Sequence, residues 1–270
     1  MGHDEIVLSL VGNERIAAVG KFTGDESYSN VADWVDDIPV YEKGAENVLA
    51  QKPDVFIASK FTDADIVELV KEAGIPVVRP SLENSSQGNI PNILLLGYLL
   101  GVEDRALELV AEIEARLKRI TDRVPPVDDD ARPTVISITR YSEKIYVPGL
   151  DTTVDGIIET AGGTNAAARD GLEGIQKVSL ESVAAMNPDV ILITQTGESG
   201  GDALRTLLLE HPALVAVPAV VNDEIHIVGS KLFITLSHWN VRGIEQTALV
   251  LFPDRFAGVE FSDFEPYLTE

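Results

Sequence analysis

The sequence predicts an α/β fold in two lobes, each a parallel-rich sheet flanked by helices, with a single long helix joining them. Three observations carry this. Short β-rich runs alternate with helix-patterned segments through both halves, a ten-residue pattern recurs at a fixed offset, and one amphipathic stretch near the middle outruns its neighbours.

The first half reads as strand over Arg15–Gly20, helix over Ala45–Gln51, strand over Val55–Ala58, helix over Ala64–Ala73 and strand over Val77–Arg79. Strands separated by helices imply a parallel sheet. Asn92–Leu100 and Glu103–Arg123 follow as helices, the second with Leu107, Val110, Ile113, Leu117 and Ile120 at spacings of three and four. At 1.5 Å per residue that helix reaches about 30 Å, enough to connect two lobes. The run Pro125-Pro126-Val127-Asp128-Asp129-Asp130 then opposes regular structure. These features divide the chain into an N-terminal lobe at 1–101, an interlobe helix at 102–124 and a C-terminal lobe at 125–270.

The alternation resumes beyond the break. Thr134–Ile138 reads as strand, Val154–Ala161 as a helix stopped by Gly162-Gly163, Leu180–Met186 as helix and Val190–Ile193 as strand. Ala203–Leu209 reads as helix, Glu224–Val228 as strand, and a last helix runs from about Trp239 to Leu251, ended by Pro253.

The repeat sets Glu46-Asn-Val48-Leu-Ala50-Gln-Lys-Pro53-Asp54-Val55 against Glu181-Ser-Val183-Ala-Ala185-Met-Asn-Pro188-Asp189-Val190, six identities at the offset 181 − 46 = 135. Val and Ala mark the buried side of a short helix, Pro-Asp the turn, and the final Val the next strand. Glu46 and Glu181 open their helices and are expected on the surface. A favourable interaction with the helix dipole, with Ser179 as N-cap in the second copy, explains them as well as a docking role does.

Composition excludes several function classes. With 44 acidic against 21 basic residues the formal net charge is −23, which repels nucleic acid and anionic lipid surfaces; the acidity itself reads as a solvated surface. The absence of cysteine removes disulfides, thiolate metal sites and cysteine nucleophiles. No apolar run approaches the roughly 20 residues that span a bilayer. Residues Met1 to Asp4 lead into Glu5–Val11 without an export signal, and the first few read as an appended segment.

The glutamate-helix-Pro-Asp-strand pattern resembles the class III periplasmic binding proteins, which carry ferric siderophores, haem and cobalamin for ABC importers. Leu249–Asp254, Ala73–Val78, Leu99–Glu103 and Ala161–Ala166 resemble the same family, and the likeness covers nearly the whole chain. It implies a chelatase-like two-lobe fold, extracytoplasmic location, no resident cofactor and no enzymatic activity. Glu46 and Glu181 match the positions at which that family docks on arginine-rich pockets of an ABC permease dimer. The implied cargo is a bulky metal chelate in the interlobe cleft, a ferric siderophore being favoured over haem or cobalamin, carried by a monomer. The family begins with a strand and a ligand-contacting loop ahead of its first helix. This sequence begins within that helix, so part of the first lobe's contact set is expected to be missing from it.

Ligands of open parallel sheets bind beyond the carboxyl ends of the strands. In the first lobe those loops carry Lys21, Lys60 and Phe61, with Tyr41 on the loop before Glu46. In the second they carry Arg140, Tyr141, Tyr146 and Gln176, and, on the loop Gly229–Trp239, Lys231, Phe233, His238 and Trp239. Rings supply area and cations supply orientation for a large anionic chelate. Each has a plainer reading: Phe233 and Trp239 as core, Tyr146 as a strand residue, Lys21 and Lys60 as solvated charges. Tyr41 or Tyr141 would ligate a haem iron. His211, His226 and His238 lie on different elements, so no protein metal site is expected. No Walker loop, dinucleotide fingerprint or nucleophile elbow occurs; Gly197–Gly201 imitates a phosphate loop without its lysine. A chelatase-like enzyme or a ligand-sensing module are the readings of other classes.

Overall fold

A computed structural model describes residues 1–126, 131–195 and 199–267. Most of the predicted break at 125–130, and Gly197 and Glu198 of the loop at 197–201, lie outside the described residues. The chain divides into two compact units. Unit 1 holds Met1–Glu114, Thr235–Trp239 and Asp263–Glu270; unit 2 holds Ala115–Ile234 and Asn240–Ser262. Two short stretches that the sequence assigns to the second lobe thus belong to the first unit.

Unit 1 opens with α1 (Gly2–Leu8), followed by α2 (Ala45–Gln51), β1 (Phe56–Ile57), α3 (Ala64–Glu72), β2 (Val77–Val78), α4 (Ile90–Leu100) and α5 (Glu103–Thr121), whose last turns pass into unit 2. β1 and β2 pair in parallel, Phe56 opposite Val77. The strand predicted over Arg15–Gly20 is absent: a 3-10 turn occupies Asn13–Arg15, and Val19 makes only an isolated bridge to Val40. The apolar residues Ile16 to Val19 lack the length and the partner strand that a ladder needs.

The first residues are part of the fold, which corrects the reading of an appended segment. Glu5 is fully buried. Its Oε1 accepts from the Asn30 backbone N–H (3.1 Å) and the Asn30 side-chain amide (2.9 Å), and its Oε2 accepts from the Thr235 and Ser237 hydroxyls. His3, also buried, meets the Pro80 carbonyl through Nε2 at 3.2 Å, and burial holds its pKa below the ordinary value. Asp4 accepts from the Gly20 N–H and the Thr23 hydroxyl.

Unit 2 contains β3 (Thr134–Tyr141), β4 (Lys144–Pro148), α6 (Thr153–Thr160), β5 (Thr164–Asn165), α7 (Ala166–Arg169), β6 (Ile175–Val178) and α8 (Leu180–Met186). β7 (Val190–Ile193), α9 (Gly201–Glu210), α10 (Pro218–Val221), β8 (Ile225–Ile227), α11 (Lys231–Ile234) and α12 (Asn240–Leu251) complete it. The strand order is β6-β4-β3-β7-β8, with β5 also pairing β3. β3, β7 and β8 run parallel, as the alternation requires, while β4 and β6 add an antiparallel wing that was not foreseen. β7 is buried at every residue, as a central parallel strand should be. Its period of two sends Ile191 and Ile193 into one core and Val190 and Leu192 into another on the opposite face. Against the second core, Gly162 sits at φ +91, where a Cβ would come within 2.6 Å of Val124 and 2.8 Å of Phe252. Arg116 on α5 meets the buried carboxylate of Glu245 on α12 at 3.3 Å.

The sequence repeat is a structural repeat. α2 and α8 each have seven residues with glutamate second, and each ends on a residue in left-handed conformation, Lys52 (φ 50) and Asn187 (φ 47). A proline and an aspartate follow in both, then the strands β1 and β7. The helices, their left-handed ends and the Pro-Asp pair keep the offset of 135, as 187 − 52 shows.

Candidate functional site

In unit 1 two strand-end loops come together. The loop before α2 carries Tyr41, which is half-buried; its ring lies 6.1 Å from Phe56 and its hydroxyl accepts from the Gly44 N–H at 3.3 Å. Lys43 on the same loop pairs with Asp63 at 2.8 Å, and this partner holds the ammonium pKa above its usual value. Asp63 closes the loop after β1, which presents Lys60 and Phe61. Phe61 is 78% exposed, with the Lys60 ammonium 5.3 Å from its ring centre. Lys21 is also exposed, beside Phe22.

In unit 2 the carboxyl ends of β3 and β7 are joined by polar groups. The Thr139 and Thr194 hydroxyls lie 2.6 Å apart, and the Arg140 backbone N–H donates to Gln195 Oε1 at 2.7 Å. Beside them is a cavity of about 400 Å³ lined by Arg140, Glu143, Lys144, Ile145, Lys177, Val178, Ser179, Leu180 and Leu207. Three cations and one acid line it, although acids outnumber bases two to one in the chain. The acid, Glu143, pairs with Arg140 across a turn whose two central residues, Ser142 and Glu143, both have positive φ. That conformation suits the two-residue hairpin that joins β3 to β4, and Arg140 and Lys144, on either side of it, both line the cavity.

The predicted residues divide on inspection. Arg140 lines the cavity. Strand register places Arg140, Ile145 and Val178 on one face and Thr139, Tyr146 and Lys177 on the other, so Tyr141 and Tyr146 lie on the face opposite Arg140. Tyr141 is 72% exposed and Tyr146 half-buried. Gln176 is exposed and donates to the Glu173 carbonyl at 2.6 Å; Lys231, half-buried, opens α11. Phe233 is core in unit 2, and His238 and Trp239 are buried in unit 1 against Phe264, at ring distances of 4.5 and 5.4 Å. These three drop out of the contact set, because their surfaces are already covered by protein. Lys144 and Lys177 are not among the sequence candidates, and Ser179 is there only as a helix cap. They meet only through the antiparallel register of β4 with β6.

Glu46 and Glu181 are both exposed. Gly44, at φ +138, leaves room for the Glu46 carboxylate, which comes within 2.4 Å of where a Cβ would stand. Glu181 is held by its own backbone N–H and by the Ser179 hydroxyl, which keep its carboxyl below the usual pKa. Ser179 is the N-cap of α8, as expected, accepting from the Ser182 N–H at 3.2 Å.

Basic and aromatic groups on the strand-end loops of a two-unit α/β chain suit the binding of a ligand. The chain is a member of the periplasmic binding protein family, whose description matches residues 2–232. It is 24% identical over 256 residues to an uncharacterized ABC transporter substrate-binding lipoprotein, YvrC, of Bacillus subtilis, covering 93% of this chain and 78% of that one. It is 28% identical over 201 residues to a cobalamin-binding protein of Halobacterium salinarum, 74% of this chain and 52% of that protein's length. The fold is similar to that of the periplasmic heme-binding protein HutB of Vibrio cholerae, with a TM-score of 0.79, 21% identity and coverage of 93% and 96%.

Proposed function

We propose that this chain is the substrate-binding component of an ABC importer and that its cargo is an anionic metal chelate. The basic cavity of unit 2 carries the reading. In a chain of net charge −23, three cations gather around about 400 Å³ of concave surface with a single acid between them. Such a surface suits a ligand with carboxylate or other anionic groups, and Ile145, Leu180 and Leu207 offer apolar area beside them. In unit 1 the contacts are Phe61 and Lys60, with Tyr41 on the loop that Lys43 ties to theirs, and Lys21. Tyr141, Tyr146, Gln176 and Lys231 complete the set in unit 2.

The kind of ligand named for the relatives supports a chelate as cargo. Haem and cobalamin are large metal-bearing macrocycles with polar periphery, and a ferric siderophore shares their bulk. The partner is an ABC permease dimer, met through Glu46 and Glu181, and the setting is extracytoplasmic. Both glutamates are solvent-facing on the first turns of matched helices, which suits brief charge-guided docking. Residues 102–124 act as interlobe helix, and the protein works as a monomer without a resident cofactor.

Titration with haemin, cyanocobalamin and ferric enterobactin, followed by absorbance, tests the cargo. A wild-type protein that binds none of the three defeats the chelate reading, and chemical turnover of a bound chelate would replace it with an enzyme. Replacing Glu46 and Glu181 together by Ala should leave affinity intact and abolish uptake through the permease. Undiminished uptake would remove the docking role.

A further inference from the structure

We propose that Arg79, one residue beyond β2, is the positioning residue that holds Phe61 out toward the ligand. The proposal rests on the reading of Phe61 as a ligand contact and adds how that contact is made rigid.

Residues Ser59 to Thr62 form a tight turn after β1. The Thr62 N–H donates to the Ser59 carbonyl at 3.0 Å, the Ser59 N–H to Thr62 Oγ1 at 3.0 Å, and the Phe61 N–H to Ser59 Oγ at 3.1 Å. These bonds engage the amides of Ser59, Phe61 and Thr62 and leave the Lys60 and Thr62 carbonyls without a partner inside the turn. Arg79 collects them: its Nη2 lies 3.0 Å from the Ser59 carbonyl, 3.1 Å from that of Lys60 and 3.4 Å from that of Thr62. Two N–H bonds are shared among three acceptors, so the guanidinium acts as a clasp on the outside of the turn.

The clasp contributes nothing to the core. Arg79, Lys60 and Phe61 are all exposed, and Phe61, at 78%, is the most exposed large hydrophobic residue among those described. Three bonds within the turn and three from Arg79 hold a segment that leaves a phenyl ring uncovered. What the bonds hold is the backbone from which that ring projects. A ring already held in place loses less freedom when it meets a ligand, so the clasp contributes to affinity by pre-organisation. The second lock, Lys43 to Asp63 at 2.8 Å, ties the far end of the same loop to the loop that carries Tyr41.

The test separates Arg79 from Phe61. Hydrogen exchange at the Ser59 and Phe61 amides is measured in the unliganded protein for wild type, Arg79→Met and Arg79→Lys. Affinity for haemin, cyanocobalamin and ferric enterobactin is measured for the same proteins and for Phe61→Ala with and without Arg79→Met. Arg79→Met should speed exchange at both amides about tenfold or more while leaving exchange in α3 unchanged, and should weaken binding of the chelate taken up by about 5- to 10-fold. Arg79→Lys, which keeps a charged donor, should recover part of both effects. In the Phe61→Ala background Arg79→Met should weaken binding no further. Unchanged exchange overturns the clasp. Equal weakening with and without Phe61 overturns its action through that ring. If Phe61→Ala binds all three chelates as the wild type does, the proposal fails and cargo binding itself still stands. If the wild type binds none, the chelate reading fails separately, and the exchange measurement still decides whether Arg79 orders the turn.

Discussion

Replacing Glu5 by Ala removes a fully buried carboxylate that accepts from four donors. Two of these, the backbone N–H and the side-chain amide of Asn30, share Oε1; the other two, the hydroxyls of Thr235 and Ser237, share Oε2. The hydroxyls can turn to each other, since they lie 3.0 Å apart, but the Asn30 backbone N–H cannot move. Leaving a buried donor unmet costs about 1–3 kcal/mol, and a lost methylene about 0.8 kcal/mol. The two stranded donors belong to Asn30, which is half-buried, so each costs toward the lower end of that range; with the removed desolvation of the carboxylate working in the other direction, Glu5→Ala should lower stability by about 2–3 kcal/mol. Glu5→Gln keeps Oε1 as acceptor and asks only that the two hydroxyls reverse, for about 1–2 kcal/mol. Urea denaturation of both variants gives the size of the effect, and hydrogen exchange over residues 235–239 gives its location. That stretch should open first in Glu5→Ala, because Thr235 and Ser237 are the residues that lose their anchor. A loss below about 0.5 kcal/mol with an unchanged denaturant slope would refute the hub.

Two further outcomes follow from unit-level geometry. Gly162→Ala combines a positive φ with a Cβ 2.6 Å from Val124 and should cost about 2–3 kcal/mol, read as a lower urea midpoint; a change under about 0.5 kcal/mol would show that the turn relaxes freely. For His3, burial lowers the folded pKa below 6.5, so the unfolded chain binds the proton more tightly. Its contribution to stability is complete above 6.5 and declines as the pH falls from there to the depressed folded value. His3→Gln should flatten that part of the stability profile against pH, and an unaltered slope would assign the decline to other groups.

Where the sequence was legible, local signals and tertiary structure agreed. Leu180–Met186 and Val190–Ile193 form with the predicted bounds because Ser179 caps the helix, Asn187 takes the left-handed end and Pro188 forbids continuation. The antiparallel wing escaped because Ile145 to Val147 is too short an alternation to stand out, and Ser142-Glu143 is not a residue pair that announces a hairpin turn. Lys144 and Lys177 were lost with it. The loop over Gly229–Trp239 misled for another reason. Its aromatic residues looked like ligand lining, yet Thr235 and Ser237 turn inward to a carboxylate 230 and 232 residues away. Glu5 itself, a single acid in an apolar run, carried no sign of burial, since that depends on donors brought by distant segments.

The charge that excluded nucleic acid also bears on how an anionic chelate would arrive. A net charge of −23 repels such a ligand at distances where individual side chains are not resolved, whereas Arg140, Lys144 and Lys177 attract it at contact. Salt separates the two effects, because the Debye length shrinks from about 30 Å at 0.01 M to about 8 Å at 0.15 M and the long-range field is screened first. The association rate of an anionic chelate should therefore rise between about 0.01 and 0.15 M salt, and its dissociation rate should rise as well, since the contact pairs are partly exposed. Stopped-flow mixing at fixed protein concentration resolves both rates. An association rate that falls with salt would mean that the basic cavity, not the net charge, governs approach; a neutral chelate should show no trend in either rate.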